Sequence, residues 1–571
     1  MNVQYKILVS SVALALSGGA QAASLGAAHE VYISGATAPQ NFLREDTILR
    51  LCDFDAAAIN VYVDQISNAN GVTDVLAGDL LEQGDHFVVQ CTTKTGFNDA
   101  NLDAKSIAVY KFNGGSATGV APVADATTVS FMDAAPANCS APTRNIPFVT
   151  DNSRTYNLYE CPNAPLVAQI PDAGVSDIEP DRFVGPLALN FGAEPVGVAS
   201  KETQPYIDRG NLKKQGGPGL VFGVAVTLPL YDELLDSQQA AGMPWMASCP
   251  ANPTRAQRDS VDCMPSLAKS DVTAVFTGSV KSWADFKPYG LTLDPVSGAN
   301  AVAEGNKVYI CKRTNGSGTH AQHSIEYMGT GCLQDSDLPM LEQNNGVAVA
   351  GSVVGVYANK GSSDMDDCLD ALGTGAGFNG DFTSLPPTLG DAKGDSSVVP
   401  GTGLPAVPNP SDPFKPAYNY KTEAWAMGYN SLEKNTDLGY AYRFVRVNTV
   451  PPTLVEAADG NYTQTYYLSF QHRVDGSGKA DPRTGGMRST AANVAVLDAY
   501  FEEYAAIDPL AIDAVNTAFE VDPDGTAGSG DEWQGGFLTT VPGGGAIPAT
   551  PNARQTPSAD PYSCAAQAPV L

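Results

Sequence analysis

Three short segments carry the residue types that an oxyanion site requires. The first is Ser34-Gly35-Ala36-Thr37-Ala38-Pro39, a glycine-containing turn. It exposes backbone N–H groups around Ala36 and adds the hydroxyl of Thr37. The second is Ala173-Gly174-Val175-Ser176-Asp177-Ile178-Glu179-Pro180, where Ser176 offers a hydroxyl beside the carboxylate of Asp177. The third is Arg313-Thr314-Asn315-Gly316-Ser317-Gly318-Thr319. Arg313 supplies a planar guanidinium able to grip two oxygens of one anion. Gly316 and Gly318 let the backbone come close, Ser317 and Thr319 add hydroxyls, and a helix starting here would contribute its positive end. No G-x-x-x-x-G-K-[ST] run occurs, so this is not a P-loop.

Asp177 decides what kind of anion suits such a set. A carboxylate facing an anion is repelled unless the anion carries a proton. Monohydrogen phosphate can donate that proton, whereas sulfate near neutral pH has none to give. Taken singly, each segment has a plainer reading: a strand–helix turn for the first, a helix cap for Ser176 or Asp177, and a surface Gly-Ser-Gly turn for the third.

Other chemistry finds less support. His320, His323 and Glu326 fall at i, i+3 and i+6 and read as a solvated helix face rather than a metal site. Asp522, Asp524, Asp531 and Glu532 miss the EF-hand spacing. No G-x-S-x-G element and no nucleophile–base pair is visible. The sequence therefore assigns no catalytic residue, no metal and no cofactor. A net charge of −29 argues against nucleic acid, which needs clustered Lys and Arg, and against anionic membrane surfaces. It leaves small anions open, because helix-terminal N–H groups bind them inside acidic proteins.

The elements needed to position these segments are strands alternating with helices. Val31–Ser34 reads as a strand, followed by a helix over Pro39–Cys52 with proline in its first turn. Val221–Thr227 reads as a buried strand leading into a helix at Leu230–Leu235. Val308–Cys311 is a further strand, with a helix over Thr319–Met328, and Asn493–Ala505 is a late amphipathic helix. Such strand–loop–helix units predict an α/β fold with parallel pairing. Three stretches read as additions to that scaffold: 53–170, 371–418 and 521–571.

The N-terminus reads as a secretory signal over residues 1–23. Lys6 precedes an apolar stretch over 7–17, and Ala20-Gln21-Ala22 suits signal peptidase, with cleavage after Ala22 or Ala23. No later run approaches the length of a membrane helix. Ten cysteines without C-x-x-C spacing fit structural disulfides in an oxidising compartment. Cys249–Cys263 and Cys311–Cys332 are the expected local pairs.

The order of the three segments resembles the phosphate-binding proteins of ABC transporters and the related DING-type secreted proteins. Val272–Phe286, VTAVFTGSVKSWADF, resembles that family's F-x-G-x-x-x-x-W-x-D segment, and Ala424–Asn430, AWAMGYN, its G-A-I-G-Y strand. The resemblance covers residues 30–52, 172–235, 271–330 and 420–505. It implies a two-lobed, periplasmic binding-protein-like (type II) fold with large loop insertions. Lobe one would be 28–215 plus 420–515 and lobe two 216–419, followed by a Gly/Pro-rich tail over 516–571. It implies inorganic phosphate held between the lobes by Ala36, Thr37, Ser176, Asp177, Arg313, Ser317, Gly318 and Thr319. It further implies a monomer outside the cytoplasm, periplasmic or secreted, working with an ABC permease. The alternative is a secreted or surface DING-like protein, or phosphatase, with no transporter partner. Two departures stand out. The first loop has one glycine rather than two, and the family's second serine, in a Gly-Ser turn, has no evident match within 60–170.

Overall fold

The computed structural model of the chain describes residues 25, 27–64, 67–68, 81–82, 84–96, 103–140, 144–147, 154–177, 180, 212–302, 305–314, 316–328, 340–341, 354–359, 361–375, 407–409, 412–417, 423–473, 520–524, 533–535 and 537–538. The signal segment, Cys332, Cys564 and the helix expected over Asn493–Ala505 lie outside them.

The fold is mixed α/β around a 14-stranded sheet. Its strands in chain order are β1 (His29–Gly35), β2 (Asn60–Val63), β3 (His86–Thr92), β4 (Ser106–Asn113), β5 (Arg144–Pro147), β6 (Thr155–Glu160), β7 (Ala173–Ser176), β8 (Leu212–Thr227), β9 (Val308–Arg313), β10 (Val354–Asn359), β11 (Ala426–Ser431), β12 (Tyr442–Phe444), β13 (Thr465–Arg473) and β14 (Phe537–Leu538). They lie in the order β10-β9-β11-β8-β13-β7-β1-β4-β3-β2-β6-β5, with β12 and β14 also paired to β8. Among the described residues, the helices of eight or more residues are α1 (Gln40–Leu51), α2 (Ser116–Asp125), α3 (Leu228–Ala240), α4 (Lys269–Phe276), α5 (Gly318–Met328) and α6 (Ser362–Thr374).

The strand and helix expectations near the site are met within a few residues. Pro39 directly precedes α1, where its missing N–H costs nothing. Parallel strands covered on both faces carry near-continuous apolar runs, and β1 shows this. Val31 and Ile33 enter one core, while Tyr32 on the opposite face stacks on Tyr110 of β4 with ring centroids 4.6 Å apart.

Two main cores meet along β8. Its first half pairs antiparallel with β13, and its second half with β11 and β12, with a register shift between Gly216 and Gly219. Leu220 and Phe222 pack with Val31, Val175 and Phe470. Val221, Val224 and Val226 pack with Leu234, Phe276, Trp283, Ile310 and Trp425. Each fully buried large apolar side chain of this kind stabilises by roughly 1.5–3 kcal/mol. Residues 424–462, assigned from the sequence to lobe one, share the second core: β11 lies between β9 and β8.

Two further expectations need correction. The stretch 53–170 is not an addition: β2 to β6 belong to the main sheet, and α2 packs on β7 and β13. Cys311 pairs with Cys368, not with Cys332. Cys311 lies on β9, and α6 packs across that strand, bringing the two Cα atoms within 6.1 Å. Cys249–Cys263 forms as expected, joined by Cys52–Cys91 and Cys139–Cys161. Within 521–571, β14 adds to β8, and Glu520–Val521 pairs with Trp533–Gln534. Among the described residues no helix is long and apolar enough to cross a membrane.

Candidate functional site

In open α/β sheets ligands bind beyond the C-terminal ends of the parallel strands. Here β4, β1 and β7 run parallel in the first core, and β9 and β10 run parallel in the second. At and just beyond the ends of these five strands lie Thr37, Ser116, Asp177, Arg313, Thr314, Gly316 to Thr319, and Ser362. Four of the strands lead into α1, α2, α5 and α6. Several helix starts are thereby gathered in one place, each with N–H groups that lack intrahelical acceptors and a positive dipole end.

Arg313 ends β9 with its side chain almost wholly buried, 1% exposed. Its guanidinium donates to Ser362 Oγ at the start of α6 (3.1 Å) and to Thr37 Oγ1 (3.3 Å). Its backbone N–H donates to Tyr429 Oη on β11 over 2.9 Å. The Tyr429 hydroxyl can then give its own proton to His320 Nδ1, 2.9 Å away. Burial first, and the nearby charges of Lys312, His323 and Arg313 second, hold His320 well below its ordinary pKa, which suits a neutral acceptor ring. The G-A-I-G-Y-like strand thus contributes Tyr429 as a support for Arg313.

Asp177 follows β7 and is buried. Its N–H donates to Ser116 Oγ over 3.0 Å, and its carbonyl accepts from Gln322 Nε2 of α5. Burial pushes its carboxyl up to about 6, against the opposing pull of Arg313, the Ser116 hydroxyl, Lys111 and the Thr319 hydroxyl. One carboxylate oxygen, Oδ1, is buried without a hydrogen-bond partner among the described residues.

The glycine of the third segment is sterically required. A Cβ on Gly318 would lie 2.9 Å from Asp177 Cβ and Oδ2, and closer still to Ser116 Oγ. Gly316, with φ +90°, accepts through its carbonyl from Ala117 N–H over 2.9 Å, joining the α5 and α2 loops. Ser317 Oγ accepts from His320 N–H at 3.3 Å and caps the first turn of α5.

The structure therefore brings together Thr37, Asp177, Arg313, Gly318 and Thr319, with Ser317 capping α5 and Ser176 buried at the end of β7. Ala36 is placed differently: its N–H donates to Val175 O over 2.9 Å, and so serves the link from loop one to β7. His320 and His323 pack on Tyr429, the His323 ring stacked at 4.0 Å, while Glu326 pairs with Lys269 at 2.9 Å. They form no common ligand set, and no group of three metal-ligating side chains occurs among the described residues.

Three site residues were not picked out from the sequence. Ser116 occupies the Gly114-Gly115-Ser116 turn after β4, which has the strand–Gly-Ser–helix form of the first and third segments. Ser362, in Gly361-Ser362 after β10, repeats it. Lys111 is a buried lysine near the end of β4; nothing in its sequence context signals that burial.

No protein-family model matches the chain, and no curated protein does. Similar solved structures include a protein assigned as a phosphate ABC transporter substrate-binding protein, with bound phosphate, from Clostridium perfringens. It is 10% identical, with 86% of this chain and 99% of that chain covered and a TM-score of 0.33. An ABC-type phosphate transport receptor from Vibrio cholerae is 9% identical, covering 61% and 79% of the two chains, with a TM-score of 0.25. PstS from Borrelia burgdorferi is 8% identical, covering 61% and 78%, with a TM-score of 0.25.

Proposed function

We propose that this protein is an exported phosphate receptor that captures inorganic phosphate between two lobes. The observation that carries the reading is the pairing of opposite demands in one buried place. Arg313, the hydroxyls of Thr37 and Ser362, and several helix starts favour a multiply charged oxyanion. Asp177, with an unpartnered carboxylate oxygen, favours a ligand that also donates a proton. Monohydrogen phosphate satisfies both; sulfate satisfies only the first.

The lobes follow the two cores. Among the described residues, lobe one would take 28–177 with 465–473 and lobe two 228–462, joined through β13 and through β8, which sends Leu220 and Phe222 into the first core and Val221 and Val224 into the second. Thr37, Ser116 and Asp177 come from lobe one, and Arg313, Gly318, Thr319 and Ser362 from lobe two. A ligand touching both sets couples binding to hinge closure. The closed monomer then presents itself to a partner, for which an ABC-type phosphate permease is the leading choice. Binding without turnover is the expected behaviour.

Calorimetric titration of the purified mature protein tests the reading. One phosphate should bind per chain, with sulfate binding far more weakly and phosphate monoesters left unhydrolysed. Equal affinity for the two anions, or a site-dependent phosphatase rate, contradicts it.

A further inference from the structure

Lys111 is buried on β4, two residues before the strand ends. Four oxygens surround its ammonium: Phe112 O at 2.8 Å, Asn113 Oδ1 at 2.9 Å, Ala36 O at 3.2 Å and Gly35 O at 3.4 Å. Among the described residues no carboxylate lies within ion-pairing distance of it. A buried ammonium without a carboxylate partner is costly, and three of these four acceptors are backbone carbonyls. Two of them belong to the first oxyanion loop, whose next residue, Thr37, hydrogen-bonds Arg313. Asn113 in turn donates to Gln40 Oε1 in the first turn of α1 over 2.8 Å.

Resting on the phosphate reading, we propose that Lys111 is a positioning residue of the oxyanion site: its ammonium gathers the carbonyls of the first loop from below and sets a second positive charge beside the ligand. The charged groups that face it are Asp177, at the end of β7, and Asp85, just before β3. Both favour the ammonium, and burial opposes it more strongly, pulling Lys111 down to about 7. Just above neutrality the free protein therefore holds much of its Lys111 uncharged. An arriving dianion raises the lysine's proton affinity, so phosphate binding draws a proton from solvent. Lys111 thus biases the site toward the dianionic form of the ligand.

Proton uptake on binding is the readout that a merely structural lysine would not give. Titration calorimetry with inorganic phosphate, run at about pH 8 in buffers of different ionisation enthalpy, measures it; there Asp177, held near 6 in the free protein, is already ionised before the ligand arrives. Wild type should take up a large fraction of one proton. Lys111→Met should abolish the uptake and weaken phosphate binding about tenfold or more, as expected for removing one charge across a few ångströms of protein. Lys111→Gln, which keeps hydrogen bonds to the loop carbonyls, should restore thermal stability but neither uptake nor affinity. Phosphate binding by wild type with no proton uptake overturns the role of Lys111 and leaves the phosphate reading standing, even if both variants fail to fold. Uptake persisting in Lys111→Met overturns it equally. Failure of wild type to bind phosphate at all removes the reading beneath it.

Discussion

The guanidinium of Arg313, at the end of a strand in the second core, donates to Thr37 Oγ1, just past a strand of the first core, over 3.3 Å. With the Ala117–Gly316 and Gln322–Asp177 hydrogen bonds, this contact joins the two cores where the proposed oxyanion would be held. On the proposed phosphate reading, Arg313 is both a ligand group and a brace between the two lobes.

Arg313→Ala should weaken binding of every tetrahedral oxyanion. Charge-assisted hydrogen bonds of this kind contribute roughly 1.5–3 kcal/mol, or about ten- to over a hundredfold in Kd. Arg313→Lys keeps the charge but loses the fork geometry, and should recover only part of the affinity. Far-ultraviolet circular dichroism should stay nearly unchanged in both. Unaltered phosphate affinity in a folded Arg313→Ala protein would reduce the third segment to a turn.

Gly318→Ala tests how tightly the loops are pressed together. The added methyl would strike Ser116 Oγ and Asp177, so loops from the two lobes would have to separate. Overpacking of this sort costs about 1–3 kcal/mol. Phosphate affinity should fall together with the thermal midpoint. A variant with normal affinity and stability would mean that these loops do not approach as described.

Sequence pattern disclosed the loops whose chemistry is loud and missed those whose chemistry is quiet. Arg313-x-x-Gly-Ser-Gly-Thr announces itself because charge, glycines and hydroxyls fall directly between a strand and a helix. Ser116 did not, although Gly114-Gly115-Ser116 has the same form. The surrounding stretch is polar and rich in turns, and Lys111 breaks the apolar run of β4 just before the turn. Cys311–Cys368 was missed for a related reason: nearness along the chain favours Cys332, whereas α6, which carries Cys368, packs across β9. The placement of 424–462 with the second core also follows from strand order, which periodicity does not report.

The disulfides make a countable expectation. Eight of the ten cysteines form four bridges. Protein from an oxidising compartment, denatured without reductant, should therefore release no more than two thiols, those of Cys332 and Cys564. Peptide mapping should recover Cys311 linked to Cys368. A Cys311–Cys332 peptide in its place would overturn the described packing of α6.

The raised carboxyl of Asp177 fixes the sign of two pH dependences. The folded protein holds this proton up to about pH 6, whereas the ordinary carboxyl releases it near 3.8. Between those values folding takes up a proton, so the stability contributed by this group is full below the window and falls as pH rises through it. Urea unfolding across that range should show a decline that Asp177→Asn flattens. Below about pH 6 the protonated carboxyl also becomes a donor, and sulfate binding should strengthen as pH falls. Sulfate affinity that stays flat through this range would mean that Asp177 does not face the ligand.

On the phosphate reading, Asp177 selects phosphate by accepting the ligand's own proton. Selectivity of this kind arises from leaving the wrong ligand repelled or unpaired. The direct measurement is calorimetric titration of wild type and Asp177→Asn with phosphate and with sulfate near neutral pH. Wild type should prefer phosphate strongly. In Asp177→Asn the amide can donate to sulfate, so sulfate should gain affinity, phosphate should lose some, and the preference should collapse. A folded Asp177→Asn protein that keeps the full phosphate-over-sulfate preference would contradict the account.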